Sequence, residues 1–414
     1  MKKNLFFYVF LIFFTISSLV GFIYFSKIEK SLVEKFPNLR FTKYLFKNES
    51  LLNKINNDYN VKFLPDTEFV KLNFRKKKIN FKDKYYKPPQ DKSVAYTSFG
   101  TFFFEIYDGK ILIVDFLGNI YVVNNLKDST STENLKSALN AKRVYDTLII
   151  KDKLYISYAT YLDGCKKINV SFSKIELNNL KFKKLFESSK CEENGVPGRI
   201  QYFVHNNKKG ILLSTAGGSY DNPGDDPQNK SSLFGKILFI ELKSKKNYLY
   251  SYGHRVIQGL FADNDIILST EHGPRGGDEV NKILFEKNYG WPIASYGEKY
   301  SFDYEKKPTY KKNHQEEGFE EPLFSFITAI GISEIIKLPN NFSPHFENKF
   351  IISSLFGRSI FIVNFDKNFT RVINYEKIFL NERIRDLKYD IKNKLILLAP
   401  VSYTHLTLPT KRIV

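Results

Sequence analysis

Short runs of apolar residues recur along most of the chain, and each run is bounded by glycine, asparagine or aspartate. From about residue 61 the runs are rich in Val, Ile, Phe and Tyr, and apolar and polar positions alternate in many of them. Turn dipeptides such as Asp108-Gly109 and Gly118-Asn119 fall between neighbouring runs. Period-two alternation broken by such dipeptides is typical of β-hairpins. The pattern therefore predicts an all-β domain of many short strands.

The predicted β region is too long for one ordinary sandwich. It extends over residues 61–400 of the 414-residue chain, whereas an immunoglobulin-type sandwich takes about 100 residues. Radial repetition of small sheets accommodates such a length. We therefore expect a β-propeller.

The N-terminus has a different pattern. Residues 4–26 contain no charged side chain and are mostly apolar. Twenty-three such residues span about 34 Å as a helix, enough for a bilayer core. No A-x-A-like cleavage site follows, so an uncleaved signal-anchor is favoured over a secretory signal. Residues 27–60 show apolar spacing of three and four, which predicts a short helical stalk.

Net charge adds little to this picture. The chain has 63 Lys and Arg against 44 Asp and Glu, a formal charge of +19. Residues 1–90 hold 18 of the basic and 7 of the acidic residues, so 18 − 7 = 11 units lie close to the predicted anchor. The one dense basic run, RKKK at 75–78, has no accompanying nucleic-acid motif. We therefore expect no nucleic-acid partner.

The chain has two cysteines, Cys165 and Cys191. In an exported protein such a pair can form a disulfide, and in a cytosolic protein two free thiols are more common. Both alternatives stay open, and no histidine pattern accompanies the cysteines to suggest a zinc site.

A glycine-rich loop carries the strongest chemical signal. The segment 271–279 reads EHGPRGGDE and follows a predicted strand. Glycines let backbone carbonyls turn toward a ligand, and carbonyl and carboxylate oxygens are the ligands that a hard cation such as Ca²⁺ requires. The loop therefore predicts a cation site.

The wider segment 252–297 resembles the glucose/sorbosone dehydrogenase family in the string GHR–QG–(strand)–EHGPRGGDE–N–KNYGWP. Weaker similarity covers about residues 60–400, including GRI at 198–200, LFGKIL at 233–238 and RIRDL at 383–387. The resemblance implies a six-bladed β-propeller that oxidises aldose sugars with pyrroloquinoline quinone (PQQ) and calcium. It also implies a domain outside the cytoplasm, in the periplasm or outside the cell, beyond the membrane anchor.

The resemblance implies two calcium sites. The backbone carbonyls of Gly273 and Pro274 correspond to those that hold the Ca²⁺ bridging to PQQ in the family. Glu279 and Tyr289 resemble a second, structural Ca²⁺ site.

The resemblance also implies a set of arginines that bind PQQ. Arg255 corresponds to the arginine of the family's GHRN motif, and Arg383 and Arg385 correspond to arginines that pair with the quinone's carboxylates. A family lysine that contacts the quinone is replaced by Phe356, and Arg358 is close enough in sequence to substitute for it.

The chain departs from the family at the general base. The histidine that takes the sugar proton in the family corresponds to Gly195, and the asparagine of GHRN is Val256. A general base contributes about 10²- to 10⁴-fold to rate. His272 and His205 are candidate substitutes by residue type, and His254 adjoins the cofactor arginine. The catalytic residue is therefore unknown at this point.

Two functions remain open. The first is a membrane-anchored, extracytoplasmic, PQQ- and calcium-dependent sugar dehydrogenase. The second is a catalytically degenerate propeller of the same family that acts as a binding or assembly module. The sequence leaves the sugar, the electron acceptor and the oligomeric state undefined.

The C-terminus departs from the expected pattern. Residues 401–414 read VSYTHLTLPTKRIV, which resembles a translated cloning adaptor rather than a propeller strand. We interpret them as a non-native tail, and we expect the last sheet to lack a strand. The predicted organisation is therefore an anchor (1–26), a stalk (27–60), a propeller (61–400) and this tail.

Overall fold

The structure is a computed structural model. The residues it describes are 72–77, 101–124, 133–137, 139–162, 165–176, 179–191, 198–217, 224–263, 266–299, 309–340, 342, 346–401 and 406–411. All of them belong to one compact unit, Val70–Val414. The predicted anchor and stalk lie outside the described residues. Within those residues, no helix is long and apolar enough to cross a membrane.

The described part of the chain is almost entirely β-structure. Its strands, in chain order, are β1 (Leu72–Lys77), β2 (Phe102–Tyr107), β3 (Lys110–Asp115), β4 (Ile120–Val123), β5 (Glu133–Ser137), β6 (Arg143–Ile150), β7 (Lys153–Leu162), β8 (Cys165–Lys174), β9 (Asn179–Leu180), β10 (Lys183–Glu187), β11 (Ile200–His205), β12 (Lys208–Ser214), β13 (Lys236–Glu241), β14 (Asn247–Tyr252), β15 (Ile257–Asp263), β16 (Ile266–Glu271), β17 (Asp278–Lys282), β18 (Phe324–Phe326), β19 (Ile332–Lys337), β20 (Phe350–Ser354), β21 (Ser359–Phe365), β22 (Val372–Phe379), β23 (Ile384–Asp390), β24 (Leu395–Pro400) and β25 (Leu406–Lys411). A short 3-10 helix spans Gln315–Glu317.

These strands form five four-stranded sheets and one five-stranded sheet. In spatial order the strands of each sheet are β2-β3-β4-β5-β9, β10-β8-β7-β6, β11-β12-β13-β14, β15-β16-β17-β18, β19-β20-β21-β22 and β1-β25-β24-β23. One strand of each sheet contacts its counterparts in the two neighbouring sheets, and together these strands close a ring: β2, β6, β11, β15, β19 and β23. We call this set the inner ring. The prediction of an all-β propeller is confirmed.

Apolar side chains fill the spaces between successive sheets. Each of six buried clusters joins two neighbouring sheets. For example, Leu112 of β3 packs with Leu154 and Ile156 of β7, and Ile113 packs with Leu397 of the last sheet. Burying one such side chain contributes about 1.5–3 kcal/mol. The apolar core is thus divided among the spaces between neighbouring sheets of the ring.

The inner-ring strands all begin at the same edge of the sheets. We call it the site edge, because the connection from β16 to β17, which contains the predicted cation loop, also lies there. In β19, for example, Ile332 pairs with Ser354 at this edge and Lys337 pairs with Phe350 at the other. The loops that lead into the inner-ring strands therefore lie at the site edge and converge near the axis of the ring.

Four inner-ring strands carry an irregularity near the site edge. The register shifts at Tyr145 in β6, Gln258 in β15, Ser333 and Glu334 in β19, and Arg385 in β23. A β-bulge leaves a residue out of the ladder and changes the direction of its side chain, and bulges are frequent next to active sites. The bulges therefore turn polar side chains toward the axis.

Cys165 and Cys191 form a disulfide with a Cα–Cα distance of 5.1 Å. Cys165 begins β8 and Cys191 follows β10 of the same sheet. Of the two alternatives left open by the sequence, the structure shows the bonded form.

The C-terminal segment takes part in the last sheet. Strand β25 pairs with β1 over Leu72–Lys77 and also contacts β24. The expectation that this sheet lacks a strand is therefore wrong for the chain as it stands, because residues 406–411 complete the pairing. Whether residues 401–414 are native stays a prediction.

Candidate functional site

The glycine-rich loop is braced by one carboxylate. Asp278 accepts a hydrogen bond from the backbone N–H of Gly273 (3.1 Å) and two more from Ile330 (2.9 Å) and Ile332 (3.1 Å). It therefore ties the loop to the chain that enters β19. A Cβ on Gly273 would lie 2.1 Å from the carbonyl oxygen of Gly276, so the turn requires glycine there.

Arg255 lies against the loop from β15's side. Its Nη1 donates to the carbonyl oxygens of His272 (3.1 Å) and Gly273 (2.8 Å). Its guanidinium also lies over the ring of Trp291, 5.1 Å from the centroid. The Gly273 carbonyl, which the resemblance assigned to calcium, thus points toward a cation and accepts a hydrogen bond from it.

His272 connects the loop to β19. Its ring Nε2 lies 2.7 Å from the carbonyl oxygen of Ile332, and its backbone N–H donates to Val256. Because a carbonyl only accepts, Nε2 carries the proton and Nδ1 keeps its lone pair. Burial, with a further contribution from the nearby Arg385 and Arg255 guanidinium groups, lowers the pKa of His272 from 6.5 to about 4. The imidazole is therefore neutral at pH 7.

Arg385 reaches across the axis from β23. Its Nη1 donates to the side-chain Oε1 of Gln258 on β15. Both are bulge residues, and β19 lies between their two strands in the inner ring. The bulges thus bring Arg385 close enough to His272 to affect its pKa.

The other predicted cofactor residues line the same edge. Among the described residues, the side chain of Arg383 makes no hydrogen bond or ion pair. Arg358 donates to Oδ1 of Asn381 (3.0 Å). Phe356, in the place of the family lysine, is 76% exposed beside Gly331. This edge therefore presents guanidinium groups and one exposed aromatic ring.

A second cluster lies behind the loop. Glu279 is buried opposite Glu271, and the two form a registered pair on β17 and β16. Burial, reinforced by the Glu271 carboxylate, raises the pKa of Glu279 well above its ordinary 4.5. The adjoining cavity is lined by Gly273, Glu279 and Tyr289 among others, and its volume of about 10 Å³ suits one water molecule or one ion.

The chemistry of this donor set fits a hard cation. Two buried carboxylates face one small cavity, and the side-chain oxygen Oδ1 of the neighbouring Asn281 is buried without a hydrogen-bond partner. Such oxygens suit Ca²⁺. The hydroxyl of Tyr289 is turned elsewhere, since it donates to the carbonyl of Lys282 (2.6 Å). Of this predicted pair, Glu279 therefore offers the ligand group.

Charged side chains also fill the axis below the loop. Arg199 is 2% exposed and bonds with Glu334 (2.6 Å) and Asp146 (3.2 Å), while Asp386 lies 3.8 Å away. These three carboxylates converge from β19, β6 and β23. Sequence inspection singled out the GRI motif but assigned no role to its arginine.

Gly195, the position that corresponds to the family's base, lies outside the described residues. Of the two candidate substitutes, His205 lies away from this site. His205 is the last residue of β11, at the hairpin with β12. It is five residues from Ile200 at the site edge, or about 17 Å at 3.3 Å per residue. Its ring contacts Phe239, Tyr250 and Phe285. His254 bonds instead with Ser251 (2.8 Å) and with Glu271 (3.2 Å).

Sequence reasoning missed Gln258, Asp278 as a brace, and the carboxylates around Arg199. A signal was available for one of these carboxylates, since Glu334 lies among the isoleucines of β19 (ISEIIK). A charged residue at a position of the core face implies a buried partner.

Comparisons with known proteins agree with this geometry. The chain is 34% identical over 176 residues to an uncharacterized protein of Synechocystis, a match that covers 39% of this chain and 42% of that protein. It is 28% identical over 197 residues to the aldose sugar dehydrogenase of Escherichia coli, with 44% and 51% covered. The matched segments thus span about half the length of these relatives.

The fold is shared with solved structures. The PQQ-bound aldose sugar dehydrogenase of Streptomyces coelicolor superposes with a TM-score of 0.55 at 16% identity, over 82% of this chain and 99% of that one. At that identity the likeness concerns the fold alone. The model of the glucose/sorbosone dehydrogenase family matches residues 100–403, nearly three quarters of the sequence, so this chain belongs to that family.

Proposed function

We propose that this chain is a PQQ-dependent dehydrogenase that oxidises the CH–OH group of an aldose sugar, built as a six-bladed propeller and held outside the cytoplasm by an N-terminal membrane helix. The observation that carries the proposal is the set of arginines at the site edge. Arg255 bonds with the glycine-rich loop, Arg385 lies close enough to His272 of that loop to affect its pKa, and Arg383 directly precedes β23. The six sheets support the blade count.

The arginine set fits the cofactor. PQQ is a planar quinone with carboxylate groups, and guanidinium pairs with carboxylate in a bidentate geometry. Arg383 has a side chain without a partner in the described structure, so it binds an anion without first breaking a contact. The exposed ring of Phe356 offers a flat apolar surface where the family has a lysine. PQQ, when bound, supplies the acceptor for the hydride of the sugar.

The chain's own groups orient the substrate and take its proton. The guanidinium of Arg255, fixed by two loop carbonyls and Trp291, is placed to donate to a sugar or cofactor oxygen. Nδ1 of His272 is the unprotonated nitrogen at this edge, and we assign it the proton of the sugar hydroxyl. Because the pKa of His272 is about 4, it is a weak base, and we expect slow turnover.

Calcium enters the proposal through the donor sets already described. Glu279 and Glu271 provide carboxylates for one ion. The carbonyl of Gly273 is a ligand for the other only if the side chain of Arg255 moves away from it, since two cations repel each other at that distance.

The disulfide supports an extracytoplasmic location, because cytosolic thiols are kept reduced. Residues 4–26 supply the proposed anchor. A fusion of alkaline phosphatase to the C-terminus tests this point, since the reporter is active only after export.

A second function is favoured by one observation. His272, the base candidate at this edge, has its ring bonded to Ile332 and a pKa far below 7. This weak base favours a propeller that binds its ligand without oxidising it, because binding alone requires no general base.

Reconstitution separates the two functions. The purified chain is mixed with PQQ and CaCl₂, and the quinone spectrum and dye reduction are followed with a panel of aldoses. Binding with dye reduction supports the dehydrogenase, and binding without reduction supports the second function. No spectral change with PQQ overturns the proposed cofactor.

A further inference from the structure

Arg199 lies at the centre of the inner ring and contacts several of its strands. The residue directly precedes β11, and its Nη1 bonds with Glu334 on β19 and Asp146 on β6. The backbone N–H of Ile200 donates to Asp146 (2.8 Å), and that of Phe104 on β2 donates to Asp386 (2.9 Å). The buried charges therefore fix the relative positions of strands from five sheets.

The other nitrogen of the same guanidinium has a different partner. Nη2 of Arg199 donates to the backbone carbonyl of Arg385 (3.1 Å), and the hydroxyl of Ser333 donates to the same oxygen (2.8 Å). Arg385 is the bulge residue of β23, with no partner on β24 in the strand register. The side chains of Arg199 and Ser333 thus hold the backbone carbonyl of Arg385, a residue that has no partner on β24.

The side chain of Arg385 lies at the proposed cofactor site. It reaches Gln258 across the axis and affects the pKa of His272. Its direction depends on the backbone of the bulge, because a bulge sets the angle at which its side chain leaves the strand. An unrestrained bulge would let the guanidinium adopt several directions.

We propose that Arg199 is a positioning residue for the cofactor site: with Ser333, it fixes the carbonyl of Arg385 and so directs the guanidinium that binds an anionic cofactor. This role rests on the proposed function, in which Arg385 pairs with a carboxylate of PQQ. Arginine is required because one planar group must serve carboxylates through Nη1 and a carbonyl through Nη2.

The chain offers a matched set of variants. Arg199→Lys keeps a buried positive charge among the carboxylates but loses the forked geometry. Ser333→Ala removes the second hydrogen bond to Arg385 and leaves Arg199 intact. Glu105→Gln is the control, since Glu105 belongs to the same charged axis through Lys388 (2.8 Å) and Thr147 (3.1 Å) without contacting Arg385.

The readout is PQQ affinity measured by quenching of Trp291. This residue is the only tryptophan of the chain and lies under the guanidinium of Arg255, at the same edge. A thermal melt of each variant first confirms folding. We expect Arg199→Lys and Ser333→Ala to weaken PQQ binding at least about tenfold, because a misdirected Arg385 loses about one charge-assisted hydrogen bond to the cofactor. We expect Glu105→Gln to bind PQQ within about twofold of wild type.

Other outcomes overturn the inference. Wild-type affinity in folded Arg199→Lys and Ser333→Ala contradicts it while the proposed cofactor stands, and an equal loss in Glu105→Gln shows a general effect of the charged axis. If the wild-type chain does not bind PQQ, the proposed function fails instead. Crystal structures then decide: an Arg385 guanidinium displaced from Gln258 in Arg199→Lys supports the positioning role, and an unmoved one contradicts it.

Discussion

Glu271 and Glu279 face each other as a registered, buried pair across β16 and β17. Burial raises the pKa of Glu279, and repulsion between the two carboxylates when both are ionised raises it further. A divalent cation between them would remove this repulsion. Under the proposed function, calcium binding at this pair would therefore stabilise the fold.

Glu279→Gln should abolish stabilisation by calcium. In EDTA we expect its melting temperature to equal or exceed that of wild type, because the substitution removes a buried carboxyl group that is costly to ionise beside Glu271. Added CaCl₂ should stabilise wild type by about 2.7 kcal/mol at 100 times its Kd, and the variant by much less. Differential scanning fluorimetry measures both. Glu320→Gln, which removes only a surface ion pair with Lys287, should respond to calcium like wild type; an equal response in Glu279→Gln argues against the site.

Glu334 should make the chain less stable as the pH rises. Burial raises its pKa from 4.5 to about 8, even beside Arg199. Between these values the folded chain keeps a proton that the unfolded chain releases, so the free energy of unfolding falls as the pH increases through this window. Glu334→Gln cannot titrate and should show a smaller fall. Urea unfolding at pH 5, 6.5 and 8 tests this, with the exposed Glu316→Gln as control. Equal slopes for wild type and Glu334→Gln contradict the prediction.

Loss of the disulfide should destabilise the chain without changing the fold. Cys165 and Cys191 are 26 residues apart, and closing a loop of this size contributes about 3 kcal/mol. The double variant Cys165→Ser, Cys191→Ser should therefore unfold at lower urea concentration. Dithiothreitol should shift wild type by a similar amount and leave the double variant unchanged. A wild-type midpoint insensitive to reductant shows that the bond does not form in solution.

Lys236→Met should be strongly destabilising. The ammonium group of Lys236 is fully buried and donates to the carbonyls of Asp226 (2.6 Å), Pro227 (3.1 Å) and Phe234 (2.5 Å). Methionine fills a similar volume but leaves these acceptors unpaired, at a cost of about 2–4 kcal/mol. Urea unfolding measures the loss, and Lys243→Met, at an exposed position, should change stability by less than about 0.5 kcal/mol. Equal midpoints for the two variants would disprove the role of the buried ammonium.

Arg383→Ala should reduce cofactor affinity and leave stability intact. Its side chain makes no hydrogen bond or ion pair in the described structure, so truncation removes no polar contact of the fold. We expect PQQ binding, followed by quenching of Trp291, to weaken about tenfold or more. Arg371→Ala, at the turn on the opposite edge of the β19–β22 sheet, is the matched control. Unchanged affinity in Arg383→Ala removes this arginine from the proposed site.

The sequence allowed the fold to be predicted better than the site. Period-two alternation and turn dipeptides depend on neighbours along the chain, so the strands of residues 102–123 were expected from local pattern alone. The loop around Gly273 was also found, because its unusual residues are contiguous.

The axis could not be predicted in the same way. Arg199 and Arg385 are 186 residues apart, and they meet only because the ring closes. The bulges were invisible for a related reason: whether Gln258 or Arg385 leaves the ladder depends on its partner strand, which single-strand periodicity does not specify.

The four bulges have a consequence for how this chain tolerates change. Each one lets a strand keep its apolar side chains in the core while one or two residues leave the ladder and turn toward the axis. A single-residue deletion within β15 or β23 would move the ladder by one position and reverse the direction of every side chain beyond it. The strand would then lose either its apolar packing in the core or the polar side chain that faces the axis. We therefore expect insertions and deletions to be tolerated in the loops rather than between a bulge and the nearest turn, because that spacing sets which residues of the inner ring face the axis.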